Sequence, residues 1–247
     1  MVSDHATTAG IVCHDYHGRG IPSHLFLMFD ANLAVLISGG LDSAILLGDA
    51  LKGHWSAVTP IYVRCGLRWE SVEFDYLNRY LDALRCPALK SLVVLEEPIA
   101  DVYGAHWSIT GQDVPDAKSA DDAVFLPGRN VLLLAKPLLW CHLHQAPVLA
   151  LGTLQTNPFP DATWAFFALM QDTVNLAMKG QVEIYLPFGF MKKKAVMELG
   201  SGLPLQHSFS CIAPVDGLHC GVCNKCAERK LAFADAEMPD PTTYACG

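Results

Sequence analysis

The feature that most constrains this chain is a short apolar strand that stops at a glycine-rich loop and leads into an amphipathic helix. Leu33–Ile37 is an apolar run, Ser38–Ser43 (Ser-Gly-Gly-Leu-Asp-Ser) follows it, and Ala44, Leu47 and Leu51 then share one helical face. This order is typical of a buried parallel strand that turns directly into a helix. Because open α/β sheets bind ligands at the carboxyl ends of their strands, we expect a binding site at this loop.

The rest of the chain repeats the alternation of strands and helices. The further predicted strands are Ala57–Val63, Leu92–Leu95, Pro147–Gly152 and Glu183–Leu186. The predicted helices are Asp42–Leu51, Glu70–Leu84, Asn130–His142 with a kink at Pro137, Thr163–Met178 and Lys193–Leu199. Residues 101–123, rich in Asp, Gly and Pro, are expected to be irregular. The pattern predicts the α/β class, with a doubly wound parallel sheet and helices on both of its faces.

The composition indicates a globular protein of the cytoplasm. Of the 247 residues 51% are hydrophobic and 17% charged, which excludes disorder for the bulk of the chain. We find neither a run of roughly 18 apolar residues nor a signal peptide. The net charge of −8 argues against sequence-independent binding to nucleic acid or lipid. We predict three segments: an N-terminal extension (1–32), the α/β domain (33–207) and a cysteine-rich module (208–247).

The loop carries the residue types that bind a nucleotide phosphate. Gly39 and Gly40 lack Cβ atoms, so backbone N–H groups, including that of Leu41, can close on an anion. Ser38 and Ser43 can donate hydroxyl hydrogen bonds to phosphate oxygens. Asp42 repels phosphate, so it is expected either to hold Mg²⁺ that bridges to the phosphates or to cap the helix. The alternative is an ordinary strand-to-helix turn, because the loop matches neither a Walker loop nor a Gly-x-Gly-x-x-Gly fingerprint.

Four of the nine cysteines form a tight cluster near the end of the chain. They are Cys211, Cys220, Cys223 and Cys226, a Cys-x8-Cys-x2-Cys-x2-Cys pattern. In a reduced protein this spacing predicts a structural Zn²⁺ site with a closed shell of four sulfurs. The alternative metal is an iron–sulfur cluster; zinc is preferred because residues 224–225 and 228–229 read as an exposed polar surface. His219 is a minor alternative ligand.

These two motifs together resemble the 7-cyano-7-deazaguanine synthase family of PP-loop N-type ATP pyrophosphatases. The loop matches the family's Ser-Gly-Gly-x-Asp-Ser, and residues 211–229 match its Cys-x8-Cys-Gly-x-Cys-x2-Cys-x2-Arg tail. Pro127-Gly128-Arg129-Asn130 and the segment from Pro187 to Lys193 match two further family segments. The resemblance implies an adenine nucleotide alpha hydrolase-like, Rossmann-like fold. It also implies nucleotide binding by residues 38–43 and Arg129, and catalytic roles for Ser38, Asp42, Arg129 and Lys193.

The reaction implied by this resemblance converts a carboxylate to a nitrile. ATP with Mg²⁺ adenylates 7-carboxy-7-deazaguanine, ammonia displaces AMP to give an amide, and a second ATP activates the amide for loss of AMP. Of the family's acceptor-side motifs the chain keeps Gly66, Arg68, the ring of Phe159 and Asp161, which we predict as substrate residues. It lacks the family's Cys-Arg pair at 162–163, so another carboxylate substrate is the alternative. Trp69, Trp164, Phe159 and Phe166 are candidates to stack on a heterocycle, although core positions are the simpler interpretation.

Three hypotheses for the function follow from the sequence. The first is the nitrile-forming, ATP-dependent ligase acting on a small carboxylate with ammonia. The second is another adenylating enzyme, either an amide ligase or an enzyme that thiolates RNA, and the acidic balance opposes RNA. The third is an adaptor that binds a nucleotide without turnover, which the intact Ser38, Asp42 and Ser43 oppose. Relatives suggest a homodimer.

Overall fold

Five strands form one sheet in a computed structural model of the chain, which describes residues 31–246. The strands are β1 (Asn32–Leu36), β2 (Ala57–Arg64), β3 (Val93–Glu96), β4 (Val148–Ala150) and β5 (Glu183–Tyr185). Their order is β3-β2-β1-β4-β5, and all neighbouring strands run parallel. The predicted doubly wound parallel sheet is therefore confirmed. The predicted extension, residues 1–32, lies outside the described residues except for its last two.

Eight helices surround this sheet within residues 31–246. They are α1 (Leu41–Ala50), α2 (Glu70–Ala83), α3 (Ala100–Tyr103), α4 (Trp107–Thr110), α5 (Arg129–Leu143), α6 (Trp164–Met178), α7 (Lys193–Leu199) and α8 (Asn224–Asp235). The five helices predicted by periodicity are present with ends within one residue, and α5 continues through Pro137. None of the helices in this part of the chain combines the length and apolarity that a membrane span needs.

Residues 101–123 are more ordered than their composition predicts. They contribute most of the one-turn helix α3, all of α4, and a 3₁₀ turn at Asp121–Val124. The His106 side chain accepts a hydrogen bond from the backbone N–H of Ser108 at the start of α4, and Gly111 in the left-handed region ends that helix. Helices of one turn are too short to produce a hydrophobic period, so the pattern of apolar residues does not reveal them.

Alternate residues of β1 and β4 enter cores on the two faces of the sheet. Leu33 and Val35 of β1 pack with α1 and α7, whereas Ala34 belongs to the core beneath α5 and α6. This explains why β1 and β4 read as continuous apolar runs: both faces of a parallel sheet are covered by helices.

The C-terminal segment 208–246 packs directly into the α/β domain. Ala232 and Phe233 of α8 belong to the core that α1 and α7 form with the sheet. Phe209 and the four clustered cysteines belong to a further core, which includes Trp69 and Tyr76 of the α2 region. The two predicted segments therefore share cores, and this contact brings α8 to the carboxyl end of the sheet.

Candidate active site and metal centre

The loop Ser38–Ser43, called the glycine loop below, joins β1 to α1 at the point where the strand order reverses. After β1 the chain goes to β2 on one side of the sheet, and β4 lies on the other side of β1. Gly39 has a φ of 81°, in the left-handed region that favours glycine. The sheet thus presents the loop at its switch point, where open α/β folds bind ligands.

Hydrogen bonds between the two serines hold the glycine loop open. The Ser43 hydroxyl accepts from the Ser38 N–H at 3.2 Å and donates to the Gly40 carbonyl at 3.2 Å. The Ser38 hydroxyl accepts from the Gly40 N–H at 3.3 Å and lies 3.2 Å from the Ser43 hydroxyl. Both side chains thus shape the loop from within. The N-cap of α1 is Gly40, without a side-chain cap, so Asp42 does not serve as the cap.

A cleft of about 360 Å³ opens above the glycine loop. Its walls include Gly152 and Thr153 after β4, Arg129 at the start of α5, Lys193 at the start of α7, and residues of α2 and α8. All four predicted catalytic residues, Ser38, Asp42, Arg129 and Lys193, line this one cleft. They come from three separate parts of the sequence, and the parallel topology brings them to one edge of the sheet.

Gly152 allows β4 to approach the glycine loop closely. A Cβ at this position would lie 3.0 Å from the Asp42 carbonyl carbon and 3.2 Å from the Ser43 backbone nitrogen. Since these atoms belong to the rigid first turn of α1, Gly152→Ala is expected to shift the loop. We expect it to cost about 1–3 kcal/mol of unfolding free energy and to weaken binding of ATP, the ligand that the sequence predicts for this loop. Thermal unfolding and calorimetric titration with ATP measure both effects; wild-type values for both would contradict this geometry.

Asp42 forms an ion pair with Lys193 inside the cleft. The Lys193 Nζ lies 2.8 Å from Oδ1 and 2.9 Å from Oδ2 of Asp42, and both side chains are about one-quarter exposed. Burial raises the pKa of Asp42, and the Lys193 ammonium opposes that rise. The Lys193 ammonium therefore occupies the position where another cation would bind the Asp42 carboxylate. The same ammonium can instead pair with an anion bound in the cleft.

Arg129 is placed by the start of α5. Asp161 anchors that helix, since its carboxylate accepts from the Asn130 N–H at 3.1 Å and its carbonyl accepts from the Asn130 side chain at 2.8 Å. In the described part of the chain the buried Nε of Arg129 has no hydrogen-bond partner. The guanidinium is thus held at the cleft wall with a donor still to be satisfied, as suits an anion-binding residue.

Helix α8 contributes residues that the sequence interpretation placed elsewhere. Lys225, Glu228 and Arg229 line the cleft, whereas we expected residues 224–225 and 228–229 to form an exposed polar surface. That expectation is wrong for Asn224, which is 6% exposed, and for Arg229, which is 1% exposed and donates to the Ser208 hydroxyl and the Leu205 carbonyl. Lys225 pairs with Glu228 at 2.6 Å. The spacing of 225, 228 and 229 on one helical face was the available signal.

The predicted substrate residues lie beside the cleft and do not form its lining. The Gly66 N–H donates to Glu70, the Arg68 side chain packs against the loop at Gly111, and Phe159 stacks on Phe125. Their contact with an acceptor stays a prediction, as does that of Asp161. The lining on this side consists instead of Trp69, Glu70, Glu73, Leu133, Asn157 and Ile212.

The aromatic candidates for stacking on a heterocycle divide between core, cleft and surface. Trp69 is buried against Trp107, although part of it lines the cleft. Trp164 is exposed and stacks on Phe190, and Phe166 packs beside Phe167 in the core beneath α5 and α6. Only Trp69 is placed to meet a flat ligand.

The four clustered cysteines converge on one point. Their Sγ atoms all lie within 4.8 Å of one another, with 3.8 Å between Cys211 and Cys223 and 3.9 Å between Cys220 and Cys226. A tetrahedral Zn²⁺ site with Zn–S bonds of about 2.3 Å has S···S edges of about 3.8 Å. Around a [4Fe–4S] cluster each cysteine binds a different iron, and around a [2Fe–2S] cluster two cysteines bind each iron; both arrangements spread the four sulfurs more widely than a single ion does. The cysteine geometry therefore fits a single tetrahedral ion.

The surroundings of the sulfurs also favour thiolates. Backbone N–H groups of Ala213 and Cys220 donate to the Cys211 sulfur, and those of Val222 and Cys223 donate to the Cys220 sulfur. His219 is not a member of this group, because its Nε2 accepts from the Ser210 N–H at 3.1 Å. Each of the four predicted ligands is thus buried, and two of them are supported by pairs of donors that stabilise negative charge.

One short segment connects the metal centre to the glycine loop. The Phe209 N–H donates to the Gly39 carbonyl at 2.7 Å, and Cys211 follows two residues later. Arg229 holds the same segment through the hydroxyls of Ser208 and Ser210. The position of Gly39 therefore depends on whether the segment that carries the four cysteines is folded.

Several known proteins are similar to this chain. A family model described as queuosine biosynthesis protein QueC matches residues 32–237. The 7-cyano-7-deazaguanine synthase of Xanthomonas campestris pv. campestris strain B100 is 33% identical over 223 residues, covering 85% of this chain and 96% of that protein. The 7-cyano-7-deazaguanine synthase of Solidesulfovibrio magneticus is 28% identical over 231 residues, covering 85% and 94%. Among solved structures, the U34-tRNA thiolase NcsA from Methanococcus maripaludis has a TM-score of 0.45 at 12% identity, covering 96% of this chain and 84% of that one.

Proposed function

This chain belongs to the QueC family of queuosine biosynthesis proteins, and from this membership we propose that it is a 7-cyano-7-deazaguanine synthase. It converts 7-carboxy-7-deazaguanine and ammonia to the nitrile at the expense of ATP. The observation that carries the proposal is the match over residues 32–237, which spans both the glycine loop and the four cysteines. The grouping of Asp42, Lys193 and Arg129 in one cleft supports it independently.

The glycine loop is proposed to hold the outer two phosphates of ATP. Its backbone N–H groups and the N-terminus of α1 supply partial positive charge without any side-chain rearrangement. The α-phosphorus is then open to attack by a substrate oxygen, first that of the carboxylate and later that of the amide. Each attack forms an O–P bond and releases pyrophosphate, so that AMP becomes the leaving group of the next displacement.

Charged residues around the loop are proposed to stabilise the departing phosphates. Asp42 is the residue that would hold Mg²⁺, which neutralises pyrophosphate as it leaves. Binding of that cation would release Lys193 from its ion pair with Asp42. Lys193 and Arg129 then face the charge that develops on the phosphates, and fixed cations in a cleft are effective at this task.

The cysteine centre is proposed to hold a structural Zn²⁺. Four sulfur ligands leave no open position for a substrate, so the ion would stabilise the fold of residues 208–246 and would take no part in the chemistry. Because thiolates of this kind persist in reducing compartments, we also propose a cytoplasmic location.

An assay of products tests the proposed function. The purified protein is incubated with ATP, Mg²⁺, 7-carboxy-7-deazaguanine and ammonium, and the nitrile, AMP and pyrophosphate are quantified. We expect nitrile formation with two AMP released for each nitrile. AMP release only with a different carboxylic acid would transfer the assignment to another ligase of the same chemistry. ADP as the sole nucleotide product would overturn it.

We propose that the outer face of α6 pairs with a second copy of the chain. This helix is strongly apolar, yet Phe167 is its one fully buried residue, and Leu169 and Leu176 are 68% and 83% exposed. Trp164, at the first residue of α6, stacks on Phe190, which is 78% exposed, but at 100° per residue it lies on a different side of the helix from Leu169 and Leu176. Apolar surface that continues along a helix is typical of an interface, and a twofold axis pairs one such face with itself.

Leu176→Glu tests this interface. A charge placed on a self-paired apolar face would be buried against the partner, so we expect the variant to be a monomer in analytical ultracentrifugation while the wild type is a dimer. Val102→Glu, at a position 67% exposed on α3, is the matched control and should remain dimeric. A wild-type monomer, or a dimer unaffected by Leu176→Glu, would contradict the pairing.

A further inference from the structure

Four carboxylates line the cleft, and one of them differs from the others in its partners. Asp42 pairs with Lys193, and Glu228 pairs with Lys225. Glu70 accepts from the backbone N–H groups of Cys65 and Gly66 at 2.6 and 2.8 Å. Glu73, 8% exposed, accepts from the Tyr62 hydroxyl at 2.7 Å and, among residues 31–246, has no ion pair. Three of these carboxylates thus have a lysine or two backbone N–H groups as partners, whereas the partner of the Glu73 carboxylate is the uncharged Tyr62 hydroxyl.

Glu73 lies against the glycine loop. A Cβ added to Gly39 would be 3.6 Å from the Cγ of Glu73, which places the carboxylate-bearing side chain next to the loop that we assign to the phosphates. Trp69 precedes it by one turn of α2, and the Glu73 N–H donates to the Trp69 carbonyl at 3.0 Å. Glu73 therefore stands between the nucleotide side and the acceptor side of the cleft, where AMP leaves the substrate.

The surroundings of Glu73 set its proton affinity. It faces Tyr62 of β2, Glu70 and Trp69 at the start of α2, and Arg129 at the start of α5. Burial raises the pKa of Glu73 to about 7, against the opposing hydrogen bond from Tyr62 and the charge of Arg129. A carboxylate of this kind accepts and returns protons near neutral pH.

We propose that Glu73 is the general base that takes protons from nitrogen in both stages of the reaction. This inference rests on the function proposed above and assigns the proton transfers that it requires. In the first stage Glu73 takes a proton from ammonium. The ammonia nitrogen then forms the C–N bond, the C–O bond to the phosphate breaks, and AMP leaves with its electron pair, while nitrogen loses one more proton to give the amide.

The second stage needs the same group. Attack of the amide oxygen on ATP leaves a C=NH₂⁺ nitrogen with two protons. Glu73 takes the first to give the neutral imidate and then the second, whose bonding electrons complete the carbon–nitrogen triple bond as AMP leaves with the electrons of the C–O bond. No oxidant or reductant is needed, and each proton passes from Glu73 to solvent. A single base serves both stages because all four protons, two in each stage, leave the same nitrogen.

Two assays on Glu73→Gln separate this role from binding and folding. Exchange of labelled pyrophosphate into ATP, dependent on 7-carboxy-7-deazaguanine, reports adenylation before nitrogen enters. Formation of amide and nitrile reports the nitrogen steps. We expect Glu73→Gln to reduce the nitrogen steps by about 10²-fold or more relative to its effect on exchange. Glu198→Gln, exposed on α7, is the matched control and should leave both rates unchanged.

The pH profile gives a second, independent readout. Nitrogen incorporation by the wild type should rise as the pH increases through about 7, because the base acts in its deprotonated form. Tyr62→Phe removes a donor to the charged form, so this rise should move to higher pH. In Glu73→Gln the rise in nitrogen incorporation near pH 7 should be lost. Amide formation by this variant should recover only in part and only at higher pH, where free ammonia replaces ammonium.

The possible results distinguish failure of this role from failure of the proposed function. If the wild type neither exchanges pyrophosphate nor forms nitrile with this substrate, the proposed function fails. If the wild type does both, and Glu73→Gln either retains nitrogen incorporation or loses both activities equally, the assignment of Glu73 as base is wrong. Thermal unfolding at pH 8 shows that the variant is folded: Gln avoids the cost of burying a charge, so its Tm should not fall below that of the wild type.

Discussion

Replacing Asp42 by asparagine is expected to reduce turnover by about 10²–10³-fold, the usual cost of removing one electrostatic element of a transition-state site. The amide keeps the size of the carboxylate but lacks the charge that would hold Mg²⁺, and it no longer forms an ion pair with Lys193. Because that pair is partly exposed, its loss should change the unfolding free energy by less than about 1 kcal/mol. We therefore expect Asp42→Asn to lose most of its turnover while its unfolding free energy changes little.

Steady-state rates at saturating Mg²⁺, together with thermal unfolding, measure this separation. Asp75→Asn, the same substitution at an exposed position of α2, is the matched control and should leave the rate unchanged. A variant of Asp42 that turns over at the wild-type rate would show that the cation is held elsewhere. A variant that unfolds would show that the pair with Lys193 has a structural role greater than its exposure suggests.

Replacing Cys223 by serine is expected to release the metal and to lower stability strongly. Metal binding at a four-cysteine site contributes on the order of 10 kcal/mol of apparent free energy to local folding, and a hydroxyl is a much poorer ligand than a thiolate. All four cysteines also belong to the buried core beneath α2. We expect a loss of several kcal/mol, seen as a lower Tm and as loss of bound metal.

The same substitution is expected to weaken nucleotide binding in the protein that remains folded. Phe209 bonds to Gly39, and Cys211 is only two residues away, so disorder at the metal centre reaches the glycine loop. Cys86→Ser, at an exposed cysteine outside the cluster, is the control and should bind metal and ATP normally. Metal analysis identifies the ion, and a wild-type melting curve without any metal would contradict a structural role.

Patterns of neighbouring residues in the sequence predicted most of the secondary structure. They also predicted two local parts of the candidate site, the glycine loop and the cluster of four cysteines. The helices with a clear period were predicted to within one residue, and the glycine loop and the cysteines carried their own spacing. The one-turn helices α3 and α4 were missed because their stability comes from caps and packing, which leave no period. The doubly wound sheet followed from the alternation of elements, since parallel strands need helical crossovers.

The sequence by itself therefore determined the fold class, the glycine loop at the end of β1 and the cluster of four cysteines, because each is encoded by residues close together in the chain. Only the tertiary structure decided which distant residues meet that loop. Lys193 is 151 residues from Asp42, yet it lies within hydrogen-bonding distance of it. Arg229 read as a surface charge and is buried, and Glu73, which belongs to no motif of the sequence, lines the cleft. Burial and partners set the chemistry of such groups, and both depend on contacts that no local pattern contains.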